Sequence, residues 1–193
     1  MDKVKTVLLV GVGGQGAILT AKILVNGLME RGYDVKMSEV HGMSQRGGSV
    51  STQVRWGEKV YSPVIGEGAA DYLLAFEKME AVRYASLLKL EGVAVINDYE
   101  VPSSTIAAGN AVYPVGCLEA MQEAFAVRSL PAAEIALSLG NPKCMNLVMF
   151  GALTVALDLR DIDWEEIIRK TVPPAYLELN LRAYRAGVAA VQQ

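Results

Sequence analysis

A chain of 193 residues, 52% hydrophobic and with a formal net charge of −3, has enough apolar material for one sizeable core. It lacks the general positive charge that draws nucleic acid or an anionic membrane surface. Two cysteines, Cys117 and Cys144, and a single histidine, His41, exclude a disulfide framework and a four-ligand metal or iron–sulfur site within the chain, and they fit a reduced, cytoplasmic protein.

Met1–Lys5 followed by an apolar run has the outline of a signal peptide. The run Thr6–Val10 is too short, however, and breaks into glycines without a small-residue cleavage site, so it reads as a first strand. Gln15–Arg31 has helical spacing and closes at Gly32, and Asp34–Glu39 is the second strand, completing a strand–helix–strand unit. Val50–Trp56 alternates, and Gly57-Glu58 turns the chain into Lys59–Tyr61, which predicts a hairpin grafted onto the sheet. Tyr72–Phe76 and Val93–Asn97 are short buried strands flanking a helix over Glu77–Leu90. After Ala111–Pro114 the chain is predominantly helical: Cys117–Val127, Pro131–Leu139, Cys144–Leu157, Trp164–Thr171 and Ala175–Val191. The greasy stretch Cys144–Leu157 falls short of the ~20 apolar residues of a membrane span and reads as a buried helix. The last helix gathers Tyr176, Leu177, Leu179, Leu181, Tyr184, Val188 and Val191 on roughly one broad apolar face, with Arg182 and Arg185 elsewhere, as a helix packed on its own core does; packing on a partner is the alternative.

No repeat, low-complexity tract or linker interrupts this alternation. The pattern predicts an α/β fold: a single three-layer α/β/α Rossmann-like domain over residues 1–193, with a mostly parallel sheet, an added β-hairpin and a helical C-terminal part.

Two stretches carry chemistry. In "GVGGQGAILTAKIL" (residues 11–24), Gly11, Gly13 and Gly16 have the G-x-G-x-x-G spacing between a strand and a helix, and Gly14 removes one more side chain. Gly11, Gly13, Gly14, Gln15 and Gly16 would let backbone N–H groups at a helix start approach a phosphate; the plain alternative is a tight strand-to-helix turn. Glu39, near the end of the second strand, stands where a nicotinamide dinucleotide site places its ribose-binding acid. The second stretch, "EVHGMSQRGGSV" (residues 39–50), sets His41, Ser44, Gln45 and Arg46 beside Gly42, Gly47 and Gly48. An arginine followed by two glycines suits a phosphate, a carboxylate or a polar cofactor edge; a solvated loop and a hydrogen-bonded structural histidine are the alternatives. No nucleophile–base pair, carboxylate pair or metal-ligand cluster is present, so no catalytic and no metal residue is assigned.

Together, "GVGGQGAILTAKIL", "HGMSQRGGSV" and the downstream "QVRWG" resemble the gamma-type domain of 2-oxoacid:ferredoxin oxidoreductases, from Val7 through at least the helix ending near Leu157. Pyruvate-type members tend to carry a Glu-Arg-Arg-Gly-like sequence where this chain has Gln45-Arg46-Gly47-Gly48, which points to the indolepyruvate branch. The resemblance implies a subunit inactive alone that binds no cofactor tightly. Its large partner subunit would carry thiamine diphosphate, magnesium and iron–sulfur clusters, coenzyme A would accept the acyl group from an aryl 2-oxoacid, and ferredoxin would take the electrons. It further implies that Gly11, Gly13, Gly14, Gln15 and Gly16 meet phosphate, that residues 41–48 face cofactor or partner, and that the isolated chain self-associates. A free-standing NAD(P) dehydrogenase and a non-catalytic nucleotide-binding subunit are the other classes consistent with the residues.

Overall fold

The computed structural model describes residues 4–41, 47–159 and 161–192, the side chain of His41 excepted. Its elements in chain order are β1 (Lys5–Val12), α1 (Ala17–Glu30), β2 (Asp34–His41), β3 (Ser49–Gly57), β4 (Ala70–Ala75), α2 (Lys78–Arg83), β5 (Leu88–Asn97), α3 (Ser104–Ala107), α4 (Cys117–Ala124), β6 (Ala126–Leu130), α5 (Ala132–Ser138), α6 (Met145–Leu157), α7 (Trp164–Thr171) and α8 (Leu177–Ala190).

The strands form a six-stranded sheet in the order β2-β3-β1-β4-β5-β6. The pairings β1–β4, β4–β5 and β5–β6 are parallel, and β1–β3 and β2–β3 antiparallel. The β-rich run Val7–Val10 has no solvent exposure, as a strand covered on both faces requires. Period-two alternation divides the sheet's side chains between two cores. Val7 and Leu9 of β1, Val54 and Trp56 of β3, Leu74, Val95 and Leu130 face a large cluster with α1 and α5–α8. Leu8, Val10, Leu73, Ala75, Ala94 and Ile96 face a smaller cluster with Ala81 of α2 and Met121 of α4. The α/β/α layering is therefore as the alternation of elements predicts.

Three local expectations are corrected. The hairpin exists, but β3 pairs with the preceding β2, from Asp34↔Gly57 to His41↔Val50, and Lys59–Tyr61 forms no strand. The Asp34 carboxylate captures the chain beyond Gly57: it accepts the Val60 N–H at 2.9 Å and pairs with Lys36 and Lys59. The helix expected over Glu77–Leu90 is only α2 and a 3-10 turn at Ala85–Leu87, because buried Leu88 already pairs with Ala70 as β5 begins. The helix expected to run to Val127 stops at Ala124, and Ala126–Leu130 becomes edge strand β6. With only Leu130 fully buried on it, β6 has little of the apolar pattern that marks a strand.

Helix α6 is buried over almost its whole length, as its composition predicts, and makes its main helix contact with α8. Small residues set that contact. A Cβ on Gly151 would lie 2.1 Å from the Tyr184 carbonyl oxygen, and one on Gly187 1.8 Å from that of Val148. Among the described residues no helix is long and apolar enough to cross a membrane.

Two outcomes follow from this packing. Gly151→Ala or Gly187→Ala forces the two backbones apart and should cost about 1–3 kcal/mol, the usual range for overpacking, read by denaturant unfolding; unchanged stability would show a looser α6–α8 contact. The Lys36 hydrogen bond, followed by that of Val60, lowers the Asp34 carboxyl to about 2. A carboxyl depressed in the folded state adds stability above its unfolded value near about 3.9, and this is lost as pH falls towards the folded value. Asp34→Asn should therefore flatten the fall in stability between about pH 4 and about pH 2, measured by unfolding at each pH.

Candidate functional site: the glycine turn and its cavity

The turn from β1 into α1 is built by glycines with different tasks. Gly14 (φ 105°) and Gly16 (φ 88°) lie in the left-handed region, where a Cβ is strained. At Gly14 no atom lies within 4 Å of where a Cβ would stand, so its glycine serves the turn itself. At Gly16 a Cβ would meet the Asn146 side chain at 2.7–2.9 Å, so this glycine also brings α1 against α6; Asn146 Nδ2 donates to the Gly16 carbonyl at 3.4 Å. A Cβ on Gly11 would come within 2.7 Å of Gln15 Oε1 and 3.0 Å of Phe76 Cβ. Gln15 folds inward: its Oε1 accepts the Val12 N–H at 2.7 Å and its Nε2 donates to the Phe76 carbonyl at 3.1 Å.

Gly16 caps α1 without a side-chain hydrogen bond, and no acidic residue stands in the first turn. The helix therefore presents first-turn N–H groups and its positive end towards the turn. Beside it opens a cavity of about 340 Å³, lined by Val12 to Ile18, by Glu39 and Val40 of β2, and by Val50, Ser51 and Thr52 of β3. Backbone bonds join the two sequence motifs here, with the Gly13 N–H donating to Gly48 O at 2.8 Å and the Gly47 N–H to Gly13 O at 3.2 Å.

Of the residues singled out in the sequence, Gly13, Gly14, Gln15, Gly16 and Glu39 line one cavity, while Gly47 and Gly48 are stitched to its rim. Gly11 sits one step back in β1, opposite Val50, and His41 ends β2 opposite the same residue. Ser44, Gln45 and Arg46 lie outside the described residues, as does the His41 side chain. Sequence reasoning passed over Ser51 and Thr52, which are nearly buried at 4% and 3% exposure. The available signal was a hydroxyl residue on the face that Val54 and Trp56 turn to the core.

The cavity differs from a dinucleotide crevice in one respect. Leu9, Thr52 and Glu39 stand in one row across β1, β3 and β2. The intervening β3 leaves Glu39 two strand spacings, roughly 10 Å, from β1, where a ribose-binding acid stands on the adjacent strand. Thr52 holds that nearer place.

Beyond the turn, the C-terminal ends of β4 and β5 carry a polar network. Fully buried Glu77 accepts from the Glu80 N–H at 2.8 Å, the Val101 N–H at 3.3 Å and the Tyr113 hydroxyl. Burial, and then the Glu77 hydrogen bond, push the Tyr113 phenol far above its ordinary value. Glu80 accepts from Arg83 Nε at 3.0 Å and from the Ser49 hydroxyl. Both carboxylates are committed to holding the structure. Burial raises both thiols; Cys117 Sγ donates to Pro114 O at 3.4 Å and Cys144 Sγ to Asn141 O at 3.0 Å. Among the described residues no group of three or more His, Cys, Asp or Glu is placed to hold a metal ion.

Residues 6–190 match the pyruvate ferredoxin/flavodoxin oxidoreductase family, and the chain belongs to it. It is 38% identical over 193 residues to indolepyruvate oxidoreductase subunit IorB of Thermococcus kodakarensis, covering 97% of this chain and 96% of that one. It is likewise 38% identical over 195 residues to the IorB subunit of Pyrococcus horikoshii, at 97% and 96% coverage. The fold is that of the gamma subunit of a keto/oxoacid ferredoxin oxidoreductase from Geobacter sulfurreducens (TM-score 0.71, 22% identity, 97% and 98% coverage). It is also that of part of the 2-oxoglutarate:ferredoxin oxidoreductase of Magnetococcus marinus (TM-score 0.75, 19% identity), where it spans all of this chain and 32% of that one.

The glycine turn makes a direct stability prediction. Gly16→Ala should cost about 1–2 kcal/mol in backbone strain and more through its clash with Asn146. In a denaturant-unfolding cycle, Asn146→Ala should recover the clash and leave the strain. Full recovery, or none, would contradict this division.

Proposed function

We propose that this chain is the small subunit of an indolepyruvate-type 2-oxoacid:ferredoxin oxidoreductase, contributing the site at which coenzyme A approaches. The observation that carries this reading is the match along almost the whole chain to subunits of that name. The wedge of β3 between β1 and β2 supports it over a free-standing NAD(P) dehydrogenase, since Glu39 is out of reach of the ribose position.

The first-turn N–H groups of α1, with those of Gly14 and Gly16, suit a phosphate group of coenzyme A; the Gly13 N–H is engaged by Gly48 O. Glu39, on the far wall, suits a hydroxyl or amide donor of the same molecule. We assign His41, Ser44, Gln45, Arg46, Gly47 and Gly48 to recognition of cofactor or partner, on the composition of this stretch, with Arg46 suited to a phosphate or a partner carboxylate. Two buried, separately bonded cysteines do not fit an iron–sulfur cluster, and a surface cavity with one carboxylate does not fit magnesium-bound thiamine diphosphate. We assign these groups to a large partner subunit. Bound there, thiamine diphosphate would supply the carbanion stabilisation that decarboxylation of an aryl 2-oxoacid needs, and iron–sulfur clusters would supply an electron route to ferredoxin. In this reading the complex is cytoplasmic, residues 1–193 act as one gamma-type unit, and this chain holds and orients the acyl acceptor.

The test is reconstitution. The chain alone should not oxidise indolepyruvate; with a large subunit bearing thiamine and iron–sulfur motifs it should support coenzyme A-dependent reduction of a low-potential acceptor. Arg46→Ala should raise the half-saturating coenzyme A or large-subunit concentration by about tenfold or more, the loss expected for a charge-assisted hydrogen bond, with Arg46→Lys intermediate. NAD-dependent turnover by the isolated chain would refute the assignment.

A further inference from the structure

We propose that Gln15 is the positioning residue of the glycine turn: it makes no contact with the ligand, and instead closes the crevice between β1 and β4 and holds the turn N–H groups towards the β3 side. This rests on the reading above that the turn receives an anion.

Gln15 stands inside the G-x-G-x-x-G stretch and in the cavity wall, yet both ends of its carboxamide are engaged within the protein. Its carboxamide accepts from Val12 N–H and donates to Phe76 C=O, and Gly11 leaves it the space to do so. Phe76 directly follows β4, whose crossover α2 packs on the opposite sheet face from α1. The gap between β1 and β4 is therefore the point where successive crossovers leave for opposite faces, and in open α/β sheets ligands settle there. In this chain Gln15 fills it. Asn97 continues the lacing, donating to the same Phe76 carbonyl at 3.1 Å and accepting the Ala132 N–H at 3.0 Å. Two carboxamides thus tie together the C-terminal ends of β1, β4 and β5 and the start of α5 just beyond β6, and the cavity is walled by Thr52 and Glu39 on its far side. The post demands one acceptor and one donor at once, which a carboxamide supplies and a carboxylate does not. A phosphate must therefore approach from the β3 side, clear of the β1–β4 crevice.

Gln15→Glu converts this into a pH-dependent test, because a protonated carboxyl has the acceptor and donor of the amide, whereas the ionised form sets an oxygen against Phe76 C=O. Among the described side chains the titratable groups at this rim are Glu39 in the cavity and Glu77 beyond Phe76, the latter engaged by Glu80, Val101 and Tyr113; the wild-type chain controls for both, and for His41 at the end of β2. The probe is inorganic sulfate, a dianion throughout the range used, titrated into the full chain while the Gly14, Gly16 and Ala17 amide resonances are followed. Val12 amide exchange is measured in parallel. At about pH 8, Gln15→Glu should bind sulfate about tenfold more weakly than wild type and exchange Val12 faster; at about pH 5 both should return to within about twofold. Gln15→Leu should remain weak at both. Wild-type binding and exchange by Gln15→Glu at the higher pH would overturn the proposal. So would weak binding at both pH values with Val12 still protected, which would make Gln15 a ligand. Wild-type turn amides that do not move with sulfate would overturn the anion reading itself, and this assignment with it.

Discussion

Everything in this fold is referred to strand β1, buried from Thr6 to Val12, which accepts a parallel neighbour on one side and an antiparallel one on the other. On the parallel side, β4, β5 and β6 follow with their carboxyl ends at one rim, as in any doubly wound sheet. On the antiparallel side, the returning arm of the β2–β3 hairpin lies against β1 and pushes β2 to the sheet edge. The glycine turn at the end of β1 sits at the junction of these two arrangements. Its cavity borrows one wall from a helix N-terminus and the other from a hairpin.

The central strands and the buried helices were legible because their signals are local. The uninterrupted apolar run Thr6–Val10, the helix after Gly16 and the greasy Cys144–Leu157 segment each declare their burial without reference to distant residues. The pairing of β3 was not legible in that way. Gly57-Glu58 has the look of a tight turn, and only the reach of Asp34 to Val60, Lys36 and Lys59 shows why the following residues leave the sheet. Strand β6 was missed because an edge strand needs little hydrophobic alternation.

The site was legible in part and for the same reason. The glycine spacing announces a turn where backbone is exposed, and Gly13, Gly14, Gly16 and Glu39 do share a cavity. Spacing cannot separate a glycine that admits a ligand from one that admits a neighbour. Gly11 makes room for Gln15 and Phe76, and Gly16 for Asn146, whereas Gly14 faces open space. Thr52 and Ser51 enter the cavity only through strand order, a property of the tertiary structure.

The two cysteines have a use that their chemistry in the folded chain conceals. Each is buried, held by a backbone carbonyl and kept in the thiol form, so alkylating reagents and oxidants meet no exposed thiolate. Cys117 begins α4 in the smaller layer, and Cys144 immediately precedes α6 in the larger one. Labelling at either sulfur therefore requires local opening of its own layer. The chain carries two native reporters, one on each side of the sheet, and their relative labelling rates distinguish a layer that breathes by itself from a molecule that opens as a whole.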